Sequence, residues 1–422
     1  MSQTDDNGAP TNDLRQALRR VLPALAASPF YQRKFAAAGL SFEQILSDGA
    51  IAWSHLPLTS KAELVADQHQ HPPFGSTLSE PLTHYVRLHQ TSGTTTGQPL
   101  RWLDTPENWL GMLEVWESVY SRLGLRPGQD RLFFPFSFGP FLGFWTAFDA
   151  AQRLGFLTLP GGGMSSVARL RFLLELDVSV LFCTPTYALR LAEVARGEGL
   201  DLRQSAVRYV IVAGEPGGSI PATRQLIESA FGARLIDHYG LTEVGPIALE
   251  LLDRPGTLAV HTSHYLVEVL DPQTLLPVLP GQVGELIVTN LRRPGCPLLR
   301  YRTGDLVRPA PDSPTQWLGG ILGRTDEMIH LRGNNVYPSA LEGIIRRFDA
   351  VSEYRLELDH RGPLTELRVV VEPRPGTDAT ALAEQLARVL KDELLFRVEV
   401  VCVEPGTLER FEMKAKRIVH VR

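Results

Sequence analysis

The chain has 422 residues, 44% of them hydrophobic and 21% charged, which is ordinary globular composition and excludes a disordered or fibrous chain. That length sets a prior of about two to three domains, each able to bury a core without disulfides or metal. The 42 basic and 47 acidic side chains leave a net charge of −5, so no general attraction to nucleic acid or anionic lipid is expected.

In chain order, residues 1–12 read as a disordered leader, too polar and acidic for a signal peptide. From Asn12 to about Ala38 the leucines Leu14, Leu18, Leu22 and Leu25 recur at helical spacing, with Asn12 or Asp13 as cap. Pro23 is expected to kink that helix or split it. The longest uncharged run, residues 132–148, holds Pro135, Gly139, Pro140 and Gly143. It suits buried wall better than a membrane helix.

Further on, Tyr209-Val210-Ile211-Val212 is a continuous apolar strand ending in the turn Ala213-Gly214-Glu215-Pro216. A helix from about Pro221 to Phe231 and a second strand, Arg234 to Asp237, follow. This βαβ rhythm predicts a parallel sheet covered by helices. From about Gly281 to Leu318 short strands with Pro/Gly turns predict a β-rich subdomain. Beyond Gly323 come a strand at 366–372, an amphipathic helix at 380–394 and a strand at 397–403, which predict a small α+β domain. The fold class is thus α/β, with a large domain over 1–322 and a small C-terminal domain over 323–422. The three cysteines, Cys183, Cys296 and Cys402, are scattered and make no CxxC pair, which fits a reducing cytoplasm.

The strongest local signal is Thr91-Ser92-Gly93-Thr94-Thr95-Thr96-Gly97-Gln98-Pro99. Glycines let backbone N–H groups curl around an anion, and hydroxyls add donors for phosphate oxygens. No Gly-Lys-Ser/Thr follows, so this is not a Walker loop; taken alone it reads equally well as a Ser/Thr-rich turn. Four further motifs follow. Tyr239-Gly240-Leu241-Thr242-Glu243 comes directly after a strand, and Tyr301-Arg302-Thr303-Gly304-Asp305 lies in the β-rich region. Gly323-Arg324-Thr325-Asp326-Glu327 and the tail Gly406 to Arg417, containing Lys414, complete the series.

In this order and at these separations the motifs resemble the adenylate-forming superfamily of acyl-CoA ligases, and the chain resembles most its short, phenylacetate–CoA ligase-like branch. The resemblance implies a large adenylation domain and a mobile C-terminal domain. It implies activation of a carboxylic acid with ATP and Mg²⁺ to an acyl-adenylate, and transfer of the acyl group to coenzyme A. By that resemblance Thr91, Ser92, Gly93, Thr94, Thr95, Thr96 and Gly97 hold the β- and γ-phosphates. Gly214, Glu215 and Pro216 line the nucleotide pocket, Tyr239 packs on adenine with Gly240 beside it, and Thr242 touches the α-phosphate. Glu243 helps bind Mg²⁺, a hard cation that prefers carboxylate oxygen. Asp305 accepts from the ribose hydroxyls, Arg324 reaches ribose or phosphate, and Lys414 is the catalytic lysine of adenylation. Asp326 matches the pivot of the mobile domain. A homodimer is the assembly the resemblance suggests, with no interface assigned.

Bland readings stand beside these: Asp305 as a turn acid, Glu243 as a helix cap, His238 as a packing residue, and Lys414 as one of a solvated basic tail with Arg410, Lys416 and Arg417. Three departures from the family pattern are visible. Three threonines stand between the loop glycines where two are usual, Gln98 stands where lysine is common, and Met413 stands where glycine is common. The ring-rich segment from Phe133 to Trp145 suggests a flat apolar acid pocket formed by Phe136, Phe138 and Phe141 with Gly240. An aryl or arylalkyl carboxylate is therefore the expected partner. The alternative acceptors to coenzyme A are a carrier-protein thiol and an amine.

Overall fold

In the computed structural model, residues 12–47, 53–91, 93, 98–331, 334–361, 365–412 and 414–421 are described. Most of the expected leader, most of the phosphate loop (Ser92 and Thr94 to Gly97) and Met413 lie outside them. The chain forms two compact units, one of Met1–Leu132, Ser137–Leu159 and His238–Leu318, the other of Phe133–Phe136, Pro160–Asp237 and Gly319–Arg422.

The first unit begins with the helices Asn12–Ala27 and Pro29–Ala37. The break falls at Ser28, before Pro29, rather than at Pro23, which sits inside the first helix. A proline at the first helical position loses no hydrogen bond, so Pro29 starts a helix more readily than Pro23 ends one. The helix Lys61–Gln70 opens on a capping box between Ser60 and Glu63. An antiparallel hairpin pairs Arg87–Gln90 with Arg101–Asp104, and the phosphate-loop motif connects its two arms. The helix Pro106–Arg122 follows, capped by the Thr105 hydroxyl. It buries Trp109, Trp116 and Tyr120, and the Trp116 indole and Tyr120 hydroxyl donate to Thr146 and the Ala147 carbonyl at 2.9 and 2.5 Å. In the same unit, Tyr265–Leu270, Gly284–Asn290 and Tyr301–Val307 form an antiparallel meander; the last two fall in the stretch expected to be β-rich, whereas its end, Pro309–Ala310 and Ser313–Leu318, pairs with Arg254–Val260 in a different sheet.

The second unit holds the βαβ rhythm read from the sequence. Val180–Cys183, Tyr209–Val212 and the Arg234 end of the strand Arg234–Leu241 run parallel. Apart from the half-buried Tyr209, their apolar residues are buried, as a sheet covered on both faces requires. The helix Pro221–Phe231 has the expected bounds and ends on Gly232 at φ 63°. The strand Arg234–Leu241 is four residues longer than expected, passing between units at Asp237 and His238 and continuing as a hairpin with Gly245–Leu251.

The C-terminal α+β fold lies in the second unit. Val351–Asp359 pairs antiparallel with Glu366–Pro373, and Glu399–Cys402 and Ile418–Val421 add on either side in parallel. The helix Ala379–Leu394 buries Leu382, Leu386 and Leu390 in a core with Leu341, Ile345, Leu356 and Val369. Its period-3.6 leucines meet the period-2 apolar face of the strands, which is why this region was legible as one folded element. Among the described residues no helix is long and apolar enough to cross a membrane.

Candidate active site

In the first unit, the strand–turn motif and the β-rich meander place two carboxylates under tight control. Asp305, on the strand Tyr301–Val307, is 5% exposed and accepts a 2.6 Å hydrogen bond from the Tyr239 hydroxyl. The Tyr239 ring meets Trp317 edge-on at 5.9 Å. A buried carboxylate held by a phenol has a fixed direction, so the motifs at 239 and 305, 66 residues apart, form one construction. Gly240 has a steric cause: a Cβ there would stand 2.6 Å from the Gly245 carbonyl oxygen, where the hairpin register shifts.

Glu243 is 4% exposed. Its Oε1 accepts from the Tyr301 hydroxyl at 3.1 Å and pairs with the Lys61 ammonium at 3.1 Å. Both contacts use the same oxygen. The expected Mg²⁺ fits one buried carboxylate of this kind, because the ion keeps waters and takes most of its remaining ligands from substrate phosphates. Among the described residues no group of three or more His, Cys, Asp or Glu forms a metal cage.

Sequence reasoning missed the residue that fixes this motif. Arg293, 1% exposed, donates from Nε and Nη2 to the two oxygens of Asp104 at 2.6 and 2.7 Å. Its Nη1 donates to the Thr242 and Glu243 carbonyls, both at 2.9 Å. Asp104 ends the second arm of the phosphate-loop hairpin, so one guanidinium ties that hairpin to the backbone of Thr242 and Glu243. Burial pushes the Asp104 carboxyl up, but the Arg293 guanidinium and the His89 ring together outweigh it and hold the group below its usual range. At the hairpin, the Thr91 hydroxyl accepts from the Leu100 N–H at 2.9 Å. Gly93 takes φ 70°, and a Cβ there would stand 2.8 Å from backbone atoms of Gln98 and Pro99. The loop therefore leaves the hairpin through a position that only glycine fits.

His238 is a packing residue. It is buried, stacks on Trp116 at 4.4 Å, and neither ring nitrogen has a hydrogen-bond partner among the described residues. Burial pushes its pKa down to about 3, with His261 nearby adding to the shift, so the ring stays neutral.

In the second unit, Gly214 sits at φ 98° in the turn after Tyr209–Val212. A Cβ there would lie 3.4 Å from the Lys414 Cε, so the lysine side chain runs over the turn. This placement separates Lys414 from the other cations of the tail. Arg410 pairs with Glu372 and Glu193, and buried Arg417 chelates Glu353 at 2.8 and 3.0 Å. Those arginines hold structure, whereas Lys414 and Lys416 are exposed and Lys414 is the one beside Gly214. Glu215 turns both oxygens to backbone N–H groups, Thr186 at 2.9 Å and Ala415 at 2.8 Å. Arg324 donates to Asp326 at 2.9 Å, which brings the expected ribose or phosphate contact and the expected pivot into one pair.

The ring-rich segment divides by burial. Phe133 and Phe134 are fully buried and Phe144 nearly so, as core. Phe136, Phe138 and Phe141 are half-buried. Phe138 packs edge-on against Trp145 at 4.5 Å and Phe148 at 4.9 Å.

A two-unit α/β chain with these motifs is an adenylate-forming enzyme. The family model described as AMP-binding enzyme matches residues 52–291, and that described as AMP-binding enzyme C-terminal domain matches 333–422. The chain belongs to the AMP-binding enzyme family and is an AMP-forming acid–thiol ligase, a class that uses ATP, Mg²⁺ and coenzyme A. It is similar to the phenylacetate–coenzyme A ligase of Escherichia coli, 31% identical over 93% of this chain and 90% of that protein. The phenylacetate–coenzyme A ligase of Thermus thermophilus is 30% identical over 93% of this chain and 92% of that protein. Among solved structures, 2-hydroxyisobutyryl-CoA ligase in the postadenylation state with 2-HIB-AMP superposes with a TM-score of 0.89 at 28% identity. That match covers 96% of this chain and 89% of the other.

Proposed function

We propose that this enzyme activates an aromatic carboxylic acid of the phenylacetate, benzoate or aminobenzoate kind and passes the acyl group to coenzyme A. The observation that carries the reading is the likeness to phenylacetate–coenzyme A ligases over 93% of the chain. The half-buried rings of Phe136, Phe138 and Phe141 agree with it.

The chemistry requires two anions to meet: a carboxylate oxygen attacks the α-phosphorus, and pyrophosphate leaves. The thiol of coenzyme A then attacks the acyl carbon, and AMP leaves. In this scheme Lys414 neutralises charge on the reacting oxygens during the first step. Asp305, fixed by Tyr239, accepts from the ribose hydroxyls. Glu243, with Lys61 and Tyr301 on one of its oxygens, would help hold Mg²⁺, which would supply charge neutralisation on the phosphates. Arg293 keeps the Thr242–Glu243 backbone from shifting as charge develops nearby. Residues 323–422 act as the moving domain, pivoting near Asp326, because the two steps need different groups around one nucleotide.

A second reading is a small branched hydroxy acid, favoured by the superposition on 2-hydroxyisobutyryl-CoA ligase. A pyrophosphate-release screen over aromatic acids, acetate and 2-hydroxyisobutyrate, with and without coenzyme A, separates them. Aromatic acids should exceed acetate by at least ~100-fold in kcat/KM, about 2.7 kcal/mol of discrimination. Preference for 2-hydroxyisobutyrate, or equal activity on acetate, overturns the aromatic assignment.

A further inference from the structure

The Lys414 segment is held in the second unit by polar contacts that flank the lysine. Before it, Glu412 accepts from the Ser166 hydroxyl at 3.0 Å, with Arg169 at 3.5 Å from its second oxygen. Directly after it, the Ala415 N–H donates to Glu215 Oε2 at 2.8 Å. Beyond that, Arg417 donates to the Thr186 hydroxyl at 3.1 Å. Ser166 and Thr186 lie in the first turns of the helices Ser166–Glu175 and Pro185–Gly197, and Glu215 lies in the glycine turn. The segment therefore rests on three neighbouring helix and turn ends.

Glu215 is the centre of this arrangement. Its Oε1 accepts the Thr186 N–H, one of the donors that a helix start leaves without an intrahelical partner. Its Oε2 accepts the amide next to Lys414. A carboxylate has two acceptor faces and no donor, so one side chain joins the helix start to the lysine segment. Both oxygens hold backbone N–H groups, and the Thr186 side chain adds a further hydrogen bond.

We propose that Glu215 is a positioning residue that docks the Lys414 segment for adenylation, rather than a contact to the nucleotide. The proposal rests on the adenylation reading above. Three hydrogen bonds and one longer ion pair reach the segment, with the Thr186 N–H holding Glu215 in place; they join the partly exposed Glu412, Glu215 and Ala415 and the buried Ser166, Thr186, Arg169 and Arg417 into a dock that forms and releases as a unit. That suits a lysine needed in one half-reaction and absent from the other.

The test is Glu215→Gln. An amide offers one acceptor and one donor, so one of the two backbone N–H groups faces another N–H. Hydrogen exchange in the peptide containing Ala415 should speed up at least ~10-fold, an effect of one lost buried hydrogen bond. Acid-dependent ATP–pyrophosphate exchange should fall ~10- to 100-fold in kcat, with KM for ATP and Kd for AMP within about twofold. Thioester formation from supplied acyl-adenylate should stay within about twofold. Ser166→Ala should give the same pattern more weakly, and it keeps the proposal testable if Glu215→Gln folds poorly. Weakened AMP binding with unchanged exchange at Ala415 overturns the proposal, as does equal loss in both half-reactions. A wild-type enzyme without acid-dependent pyrophosphate exchange would instead sink the adenylation reading, while the hydrogen-exchange result still decides whether Glu215 docks the segment.

Discussion

The Tyr239–Glu243 motif and the Lys414 segment, proposed above to serve one reaction, are held in opposite ways. Around the first, Arg293 and Asp104 are 1% and 0% exposed, and the Tyr239–Asp305 bond is buried. Around the second, Lys414 is exposed, Glu412 is 54% exposed, and single hydrogen bonds run from the partly exposed Glu412, Glu215 and Ala415 or join the buried Arg417 and Thr186. A buried, multiply bonded guanidinium can only be broken at large cost. A set of half-wet hydrogen bonds, each worth about 1 kcal/mol net, can be exchanged for water. On the proposed scheme, the first arrangement suits the part that stays and the second the part that leaves.

The sharpest way to break this comparison is to remove Arg293. Arg293→Met leaves Asp104 charged and buried with only the His89 ring, at 3.7 Å, beside it, and strips two carbonyls of their donor, so unfolding should cost about 3–5 kcal/mol less by denaturant titration. Destabilisation under about 1 kcal/mol would mean that the buried pair holds little. Double replacement with Asp104→Leu should recover part of the loss, because no unpaired charge then remains.

Lys414→Ala probes the other side. The fold should be unaffected, since the side chain is exposed, while adenylation should fall ~10²–10³-fold. Thioester formation from supplied acyl-adenylate should be spared. The same pattern from Lys416→Ala, rather than Lys414→Ala, would contradict the assignment that the contact with Gly214 supports.

Asp326→Pro sharpens the idea of movement. Proline fixes φ near about −65° and restricts Thr325, so adenylate formation should persist while transfer to coenzyme A fails. Single-turnover rates for both steps are the measurement, and two normal rates would place the pivot elsewhere.

The smallest effect is a pH dependence of the rigid region. His238 and His261 have pKa values pushed down to about 3 and 4, first by burial, then by neighbouring groups: His261 beside His238, and Arg122 and His264 beside His261. Both rings are neutral in the folded protein and take up protons when unfolded, near pH ~6.5. Their contribution is therefore fully present above pH ~6.5 and is lost as pH falls toward 4 and then 3. His238→Phe keeps the stack on Trp116 and removes the titration, so Tm should fall less steeply between pH ~6.5 and ~5 than in the parent chain. Identical slopes would contradict the buried neutral ring.

What the sequence made legible follows the range of each interaction. Tyr209–Val212 and Pro221–Phe231 were readable because their signals are local: an apolar run, a proline start and a glycine stop. Tyr239, Glu243 and Asp305 were readable because each sits in a short motif. Arg293 was not, because its partner Asp104 is 189 residues away and its neighbour Arg292 looks identical in sequence. Only folding sends Arg292 outward to Glu114 and Arg293 inward. Lys61 was missed for the same reason, 182 residues before Glu243. In the tail, a cluster of cations was visible, but which two are clamps and which is presented beside Gly214 depends on Glu353, Glu372 and Glu193, none of them nearby in sequence.

The most direct test of the account is to mix enzyme, MgATP and an aromatic acid without coenzyme A, quench, and quantify the AMP-linked species by mass spectrometry. One acyl-adenylate per active site with matching pyrophosphate is expected, chased to free AMP and a thioester when coenzyme A is added. ADP in place of pyrophosphate, or an adenylate that coenzyme A leaves intact while a carrier-protein thiol or an amine discharges it, would contradict that prediction.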